Sequence, residues 1–319
     1  MSNKNITIDD FFDETLSHVE EKINSTINDE HIRAILQGGK RLRSLLAQLS
    51  FKACTSGKEE THHYHRALES SVSIELAHGA SLIHDDIIDK DVMRRGKPAF
   101  HVKEGVSKAL LVGHKMLAHG FDIALSHGKE VAKLYVDSWN EVVSGEIDEV
   151  DFNKKDYDYY HKTAKEQIFE AYNRIIDLKT AGLFSSACRV GALEANMTGD
   201  VLKVFSDYGR EIGLAYQLSD DLVDLANGEM IESVVLPLLN RLDNKPKVGF
   251  FKKQGIKRKF AKNHEKIKQY YIDEIKKHVK KAEDIGKSDL IPKSNYKELM
   301  IEAPTYIINR MLSDIKLTI

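Results

Sequence analysis

The sequence is poor in cysteine, proline and tryptophan. Its 319 residues include two cysteines, Cys54 and Cys188, which lie far apart and lack the spacing of metal ligands. A disulfide framework is therefore excluded, and this cysteine usage is typical of a reducing compartment. There are five prolines. Because proline interrupts helices, its scarcity favours an architecture of long helices.

Long hydrophobic runs and a large net charge are also missing. No stretch of eighteen apolar residues occurs, so we expect no membrane-spanning helix. The first residues, MSNKNITIDDFFDE, lack the apolar core of a signal peptide. The formal net charge is −2, so no overall positive field favours nucleic acid. We therefore expect a cytoplasmic protein that does not bind nucleic acid.

The first candidate site is an aspartate motif followed by a basic loop, in the stretch LIHDDIIDKDVMRRGKPAF. Asp85 and Asp89 are four residues apart, with Asp86 between them, so the outer two lie on one face of a helix. Their like charges repel unless a cation lies between them, and Mg²⁺ prefers such oxygen ligands. Arg94 and Arg95 carry planar guanidinium groups that suit phosphate. The alternative is a solvated acidic helix end followed by a basic loop.

A second helical stretch ends in the same DDxxD pattern. The amphipathic segment 201–226 closes with Asp220, Asp221 and Asp224. Two apolar helices that both end in this pattern are less expected from scattered surface charge than a single one. If the two motifs face each other, they could bind several Mg²⁺ ions with a diphosphate between them.

Further candidates lie upstream of the first motif. GGKRLR at 38–43 places Lys40, Arg41 and Arg43 in the first turn of a helix, where cations oppose the helix dipole unless an anion is bound. The alternative is a glycine cap followed by an exposed basic turn. His78 lies two turns before Asp85 on roughly the same face, although a packed core histidine would look the same.

One face of the helix before the first motif carries small residues: Ser73, Ala77, Ala80 and Ser81. Such a stripe indicates either close helix packing or the wall of an open channel. Elsewhere we predict two helices within 103–147, a helix pair around Lys179–Thr180, and a closing helix or helix pair after 295. Residues 245–281 hold fourteen Lys and Arg against three acids. A solvated helix face is the preferred interpretation, with attraction to an anionic membrane surface as the alternative.

The sequence resembles the trans-isoprenyl diphosphate synthase (polyprenyl synthetase) family over nearly its whole length. GGKRLR, LIHDDIID with RRGKP, KT at 179–180 and YQLSDDLVD at 216–224 occur in the family's order. The resemblance implies one all-α domain over 1–319, an orthogonal helical bundle around a central cavity, usually as a homodimer. It also implies head-to-tail condensation of isopentenyl diphosphate with an allylic diphosphate, which releases pyrophosphate.

The resemblance also implies roles for individual residues. The implied metal ligands, for three Mg²⁺ ions with Mn²⁺ as a substitute, are Asp85, Asp89, Asp220, Asp221 and Asp224, with Asp86 beside them. The implied isopentenyl diphosphate pocket is Lys40, Arg43, His78 and Arg95, while Arg94 contacts the allylic diphosphate. Lys179 would hold the departing diphosphate, with Thr180 and Gln217 near the developing carbocation. The released pyrophosphate is the implied proton acceptor.

Product length is implied by the residue five positions before the first motif. A bulky aromatic there gives short products in this family, whereas this chain has Ala80, followed by Ser81 and preceded by Ala77. We therefore expect a product of C20 or longer. Two departures from the family pattern are a lysine-free loop, NGEMIESVVLPLL, whose missing contact Arg210 could supply, and Gly113–His114 in place of Gly-Asp. A terpene-cyclase-like enzyme and a partner-dependent subunit remain the alternatives.

Overall fold

The computed structural model describes residues 6–155, 159, 163–227 and 252–319, and this part is almost entirely helical. The first helices are α1 (Ile8–Thr26), α2 (Glu30–Leu36), α3 (Leu42–Thr55), α4 (Thr61–Ile88), α5 (Phe100–Glu104), α6 (Val106–Ser126) and α7 (Lys129–Asn153). The later ones are α8 (Lys165–Ile176), α9 (Gly182–Glu194), α10 (Asp200–Ala226), α11 (Lys252–Gly286) and α12 (Asn295–Leu312). The predicted all-α fold class is confirmed.

Local sequence signals explain where several helices begin. Thr7 caps α1, because its hydroxyl accepts a hydrogen bond from the backbone N–H of Asp10 at 3.2 Å. Asp29 caps α2 in the same way and accepts from the backbone N–H groups of His31 and Ile32. The single long helix predicted before the first aspartate motif is confirmed as α4, and the closing segment is one helix, α12.

A two-residue hairpin turn holds the arginine pair that follows the first motif. Strands β1 (Met93–Arg94) and β2 (Lys97–Pro98) are antiparallel. Between them, Arg95 and Gly96 have φ values of 51° and 72°. Positive φ at both central residues is what a tight primed hairpin turn requires, and glycine supplies the second at low cost. The loop predicted here therefore contains a short hairpin.

The chain divides into two compact units. The first comprises Met1–Asn140, Leu183–Gly209 and Glu283–Ala303. The second comprises Glu141–Gly182, Arg210–Ala282 and Pro304–Ile319. The single domain expected over 1–319 is not tested by this division and stays a prediction.

The core of the first unit forms where α4 packs against α1, α2 and α6. Its buried residues include Leu76, Ala80 and Met116. A methyl group added at Gly79 would lie 2.5 Å from the Met116 side chain, so α4 and α6 approach closely at this glycine. An added methyl at Gly191 would lie 2.0 Å from the backbone oxygen of Ala47, which shows an even closer approach of α9 to α3.

The second unit is centred on α8 and the helical turn that follows it. Phe152, Ile168 and Ile175 form an apolar cluster. The helix pair predicted around Lys179–Thr180 is confirmed as α8 and α9, with a π-helical turn at Asp177–Ala181 between them. The two helices continue into each other, because the wider turn accommodates an extra residue without ending the helical run. Such turns occur often at functional sites.

Among the described helices, none has both the length and the apolar character that crossing a lipid bilayer requires.

Candidate active site

The first aspartate motif lies at the C-terminal end of α4, where its three carboxylates have different surroundings. Asp85 is half-buried and Asp89 is exposed. Asp86 is buried and accepts a hydrogen bond from Arg94 Nε at 2.7 Å, with a second contact from the same guanidinium. Asp86 is therefore neutralised by Arg94, while Asp85 and Asp89 lie one helical turn apart toward solvent.

The hairpin brings its basic residues to the glycine turn before α3. Arg95 donates from Nη1 to the backbone oxygen of Gln37 at 3.1 Å, and Lys97 Nζ lies 3.5 Å from the Gln37 side-chain oxygen. Arg95 Nη2 is 3.3 Å from the point where a Cβ of Gly39 would lie. Two motifs about sixty residues apart in sequence therefore meet, as the predicted isopentenyl diphosphate pocket requires.

His78 lies near these basic residues, and the group formed by Arg43, His78 and Arg95 is called the positive corner below. It is half-buried, and its pKa is lowered well below the ordinary value of 6.5, first by burial and then by nearby positive charges. Those charges belong to Arg43, Arg95, Arg41 and Arg94. His78 is therefore neutral at neutral pH. Of these arginines, Arg43 and Arg95 belong to the predicted isopentenyl diphosphate pocket, to which the imidazole would add a hydrogen-bonding group.

The basic residues of GGKRLR divide into different environments. Lys40 is exposed. Arg43 is buried, and its guanidinium lies 4.4 Å from the ring centre of Phe184. Arg41 is 3% exposed and forms ion pairs with Glu20 at 2.7 Å and with Glu75 at 3.4 Å. Arg41 is thus a structural cation that the sequence alone does not distinguish from its neighbours.

In the second aspartate motif, each carboxylate oxygen of Asp221 accepts a hydrogen bond from another side chain of the protein. Asp221 is 4% exposed. Tyr172 Oη donates to Asp221 Oδ2, and Gln217 Nε2 donates to Oδ1 at 3.0 Å. Burial raises the pKa of Asp221 to about 7, an effect that these two hydrogen bonds oppose and the adjacent carboxylates of Asp220 and Asp224 reinforce. Asp220 and Asp224 are half-buried.

Lys179 and Thr180 lie in the π-helical turn and face this motif. Thr180 Oγ1 donates to Gln217 Oε1 at 2.7 Å. Lys179 Nζ lies 2.7 Å from Glu146 Oε2 and also forms an ion pair with Glu149. Neither glutamate is among the residues predicted from the sequence, although both lie one turn apart on α7 inside the acidic stretch GEIDE. The predicted diphosphate-holding lysine therefore has two carboxylate partners.

A cavity opens between these side chains within the second unit. Its volume is about 450 Å³, including its open mouth. Its polar lining consists of Glu149, Lys179, Thr180, Gln217 and Asp221, and its other lining residues are Phe152, Tyr172, Ile175 and Ile176. Three residues that the sequence predicted near the developing carbocation and the leaving group thus line one partly apolar cavity.

The two departures from the family pattern have different outcomes. The lysine-free loop after Asp224 lies outside the described residues. Arg210, offered as its substitute, forms ion pairs with Asp177 at 2.7 Å and with Glu141 at 2.9 Å, so its diphosphate role stays a prediction. At Gly113 an added Cβ would lie 2.5 Å from His84 Nε2, and the rings of His84 and His114 are 5.5 Å apart.

The chain-length residues are buried on α4. Ala77 and Ala80 are almost fully buried, and the Ser81 hydroxyl donates to the backbone oxygen of His78 at 2.8 Å. Ala80 lies in the apolar cluster of the first unit. Burial agrees with close helix packing and with the wall of an enclosed channel, so the channel stays a prediction.

A separate group of possible metal ligands lies at the opposite end of α4. Within the described part of the chain, ligand atoms of Glu60, His62 and His63 lie within 4.8 Å of one another. Because α4 has 28 residues, this group is about 40 Å from the aspartate motif along the helix axis. It therefore cannot share an ion with Asp85 or Asp89.

Helices that end in carboxylate motifs, a positive corner and a cavity lined by Lys, Thr and Gln together define an all-α protein that offers carboxylate ligands for a metal ion and cationic side chains for an anion. Comparison with known proteins identifies the family. The polyprenyl synthetase family model matches residues 25–233. The chain belongs to the polyprenyl synthetase family.

Individual relatives agree with this assignment. The short chain isoprenyl diphosphate synthase of Methanothermobacter thermautotrophicus is 32% identical over 66% of this chain and 64% of its own length. The geranylgeranyl diphosphate synthase of Methanosarcina mazei is 32% identical over 61% of this chain and 57% of its own length. The chain thus spans about three fifths of these relatives.

A crystal structure of geranylgeranyl pyrophosphate synthase has a TM-score of 0.76. It is 23% identical in sequence, and the match covers 95% of this chain and 98% of that one. At this identity the likeness shows the fold.

Proposed function

We propose that this chain is a Mg²⁺-dependent trans-prenyltransferase that condenses isopentenyl diphosphate with an allylic diphosphate. The observation that carries the proposal is the cavity in which Lys179, Thr180, Gln217 and Asp221 converge, in a chain of the polyprenyl synthetase family. A cation and aligned dipoles beside a partly apolar cavity can stabilise a departing diphosphate and the carbocation that it leaves.

The carboxylates suit Mg²⁺, on which the family depends in general. They offer hard oxygen donors, and Asp85, Asp89, Asp220 and Asp224 remain accessible at half-buried or exposed positions. Asp221 is buried, and both of its oxygens accept hydrogen bonds within the protein. When bound, Mg²⁺ supplies charge neutralisation for the departing diphosphate. We propose three ions, with Mn²⁺ as a substitute.

The chain's own residues then have separate tasks. Lys179 forms ion pairs with Glu146 and Glu149, and it exchanges one of these carboxylate partners for a diphosphate oxygen when the substrate binds. Thr180 and Gln217 present oxygen dipoles toward the carbon that becomes cationic. Arg94 contacts the same diphosphate after release from Asp86. The released pyrophosphate removes the proton. That the two aspartate motifs face each other stays a prediction from the sequence.

The positive corner of the first unit is proposed as the isopentenyl diphosphate site. Lys40, Arg43 and Arg95 supply charge, and neutral His78 supplies a hydrogen bond. This corner favours elongation over terpene cyclisation, because a cyclase uses one diphosphate substrate and has no need of a second anion site. The complete aspartate motifs favour an enzyme over a partner-dependent subunit.

One assay tests the proposal. Purified protein is incubated with Mg²⁺, an allylic diphosphate and labelled isopentenyl diphosphate. Label in a longer prenyl diphosphate is the expected result, with products of C20 or longer. A hydrocarbon formed from the allylic substrate alone would establish a cyclase. No turnover until a second chain is added would establish a subunit.

Metal dependence supplies a second test with a matched control. Asp85→Asn and Asp220→Asn should each raise the Mg²⁺ concentration for half-maximal rate by about tenfold or more, since even residues behind the ligands cost tenfold or more in metal affinity. Asp137→Asn removes an exposed helical carboxylate that pairs with Lys133 and should leave that concentration unchanged. Equal Mg²⁺ concentrations for half-maximal rate in all three variants would refute a metal-binding role for Asp85 and Asp220.

A homodimer is part of the proposal. Five large apolar side chains on α6 are exposed in the single chain: Val106, Leu110, Leu111, Phe121 and Leu125, with Leu111 68% exposed. A second copy would remove them from water. Light scattering should give twice the chain mass, and Leu111→Glu with Leu125→Glu should give the mass of one chain. A wild-type monomer would overturn the homodimer.

The proposal also includes contact with a membrane surface through the lysine-rich segment 245–281. Much of 245–261 lies outside the described residues, but Lys266, Lys276, Lys277 and Lys280 are exposed on α11. Co-sedimentation with phosphatidylserine vesicles at low salt, lost with neutral phosphatidylcholine vesicles, would support a surface contact. Equal sedimentation with both would refute it. The cytoplasmic location remains a prediction.

A further inference from the structure

Both carboxylate oxygens of Asp221 are satisfied inside the protein. Oδ1 accepts from Gln217 Nε2 at 3.0 Å, and Oδ2 accepts from Tyr172 Oη. Asp221 and Tyr172 are buried almost completely. A buried carboxylate with a donor on each oxygen is held in one orientation, because turning it would leave two buried polar groups unpaired.

A second tyrosine fixes the direction of these hydrogen bonds. Tyr271 Oη lies 3.4 Å from Tyr172 Oη, and its side chain is fully buried. Both hydroxyls are donors at neutral pH, because a phenol ordinarily keeps its proton up to about pH 10. Because Tyr172 donates its single hydroxyl proton to Asp221, the hydrogen bond between the two tyrosines must be donated by Tyr271. The tyrosine pair therefore restrains the Asp221 carboxylate through Oδ2.

The same carboxylate determines how the cavity's amide is turned. Gln217 directs its NH₂ group at Asp221, so its oxygen faces Thr180, whose hydroxyl donates to it at 2.7 Å. The reversed amide would place its oxygen against a carboxylate oxygen and its NH₂ against the Thr180 donor. The orientation of Gln217 is therefore set by Asp221, and that of Asp221 by Tyr172.

We propose that Tyr172 is a positioning residue, which fixes Gln217 and Thr180 toward the reacting carbons through Asp221. Asp221 then serves as the anchor of this network, while its neighbours in the motif bind metal. This inference rests on the proposed function. Its chemical consequence is that loss of the Tyr172 hydroxyl slows the ionisation–condensation step without weakening substrate or metal binding.

The test compares Tyr172→Phe with a matched control, Tyr208→Phe. Both variants remove one buried tyrosine hydroxyl, since Tyr208 Oη donates to the backbone oxygen of Met300 at 2.6 Å within the first unit. For Tyr172→Phe we expect a kcat lower by about tenfold to a hundredfold, the range that misplaced catalytic groups cause. Three binding quantities should change by less than about twofold. They are the KM for the allylic substrate, the Mg²⁺ concentration for half-maximal rate, and the affinity, measured by calorimetry, for a non-reacting thio-analogue of that substrate.

Tyr208→Phe should lower the melting temperature while leaving kcat unchanged. Tyr271→Phe, which removes the outer donor only, should lower kcat in the same direction by a smaller factor, and it provides a second reading if Tyr172→Phe folds poorly. A Tyr172→Phe enzyme with unchanged kcat would overturn the inference, and so would a Mg²⁺ midpoint raised as much as in Asp220→Asn. A wild-type protein without prenyl transfer would overturn both proposals, whereas an active wild type with unaffected tyrosine variants overturns this one alone.

Discussion

Replacing Arg41 by methionine should destabilise the protein far more than removing an ion pair of the same length from its surface. Arg41 is 3% exposed, and it contacts Glu20, the backbone oxygen of Leu36 and Glu75, itself 3% exposed. Methionine keeps most of the apolar stem and the same left-handed backbone, at φ 53°, so strain at this position cancels between the two proteins.

The magnitude follows from what Glu75 would keep. Within the described part of the chain, its carboxylate then retains two long hydrogen bonds, from the Ser44 backbone N–H at 3.3 Å and the Ser44 hydroxyl at 3.2 Å. Removing one partner of a buried ion pair costs about 3–5 kcal/mol, because a buried charge is left uncompensated. We therefore expect the free energy of unfolding to fall by about that amount.

Arg174 provides the control. Its Nε lies 2.7 Å from Asp148 Oδ2, the same distance as Arg41 Nε from Glu20, but the Arg174 side chain is 65% exposed. Arg174→Met should cost less than about 1 kcal/mol. Urea unfolding of the full chain, followed by circular dichroism, measures both. Adding Glu75→Gln to Arg41→Met should recover part of the loss. Equal small losses for the two arginine variants would refute the reasoning.

Three further predictions concern the first unit. Ala80→Phe should shift products toward shorter chains, and an unchanged distribution would refute the channel. Folding lowers the pKa of His78 from 6.5, so the unfolded state binds more protons than the folded state below that pH. The free energy of unfolding should therefore fall as pH drops through 6.5. His78→Gln should flatten this pH dependence. Gly191→Ala would force a methyl to 2.0 Å from the Ala47 oxygen and should cost several kcal/mol in thermal unfolding, unlike Gly286→Ala, whose new methyl meets its nearest neighbour at 3.4 Å.

The sequence alone predicted those parts of the site that depend on local spacing. Asp85 and Asp89 share a helix face because a helix repeats every 3.6 residues, and that geometry requires no knowledge of the rest of the chain. Scarce proline and long amphipathic segments indicated long helices in the same way, whereas the all-α class was implied by the family resemblance. Lys40, Arg43, His78 and Arg95 were grouped through the family resemblance, and the structure brings Arg43, His78 and Arg95 to one positive corner.

Only the tertiary structure could separate residues that look alike in sequence. Arg41 lies between Lys40 and Leu42, yet it alone in that turn is buried against Glu20 and Glu75, which come from distant parts of the chain. Asp221 differs from Asp220 because Tyr172, 49 residues earlier, donates to it. Burial and hydrogen bonds between distant segments decide whether a charge supports the fold or remains available to a ligand, and no local pattern records which segments will meet.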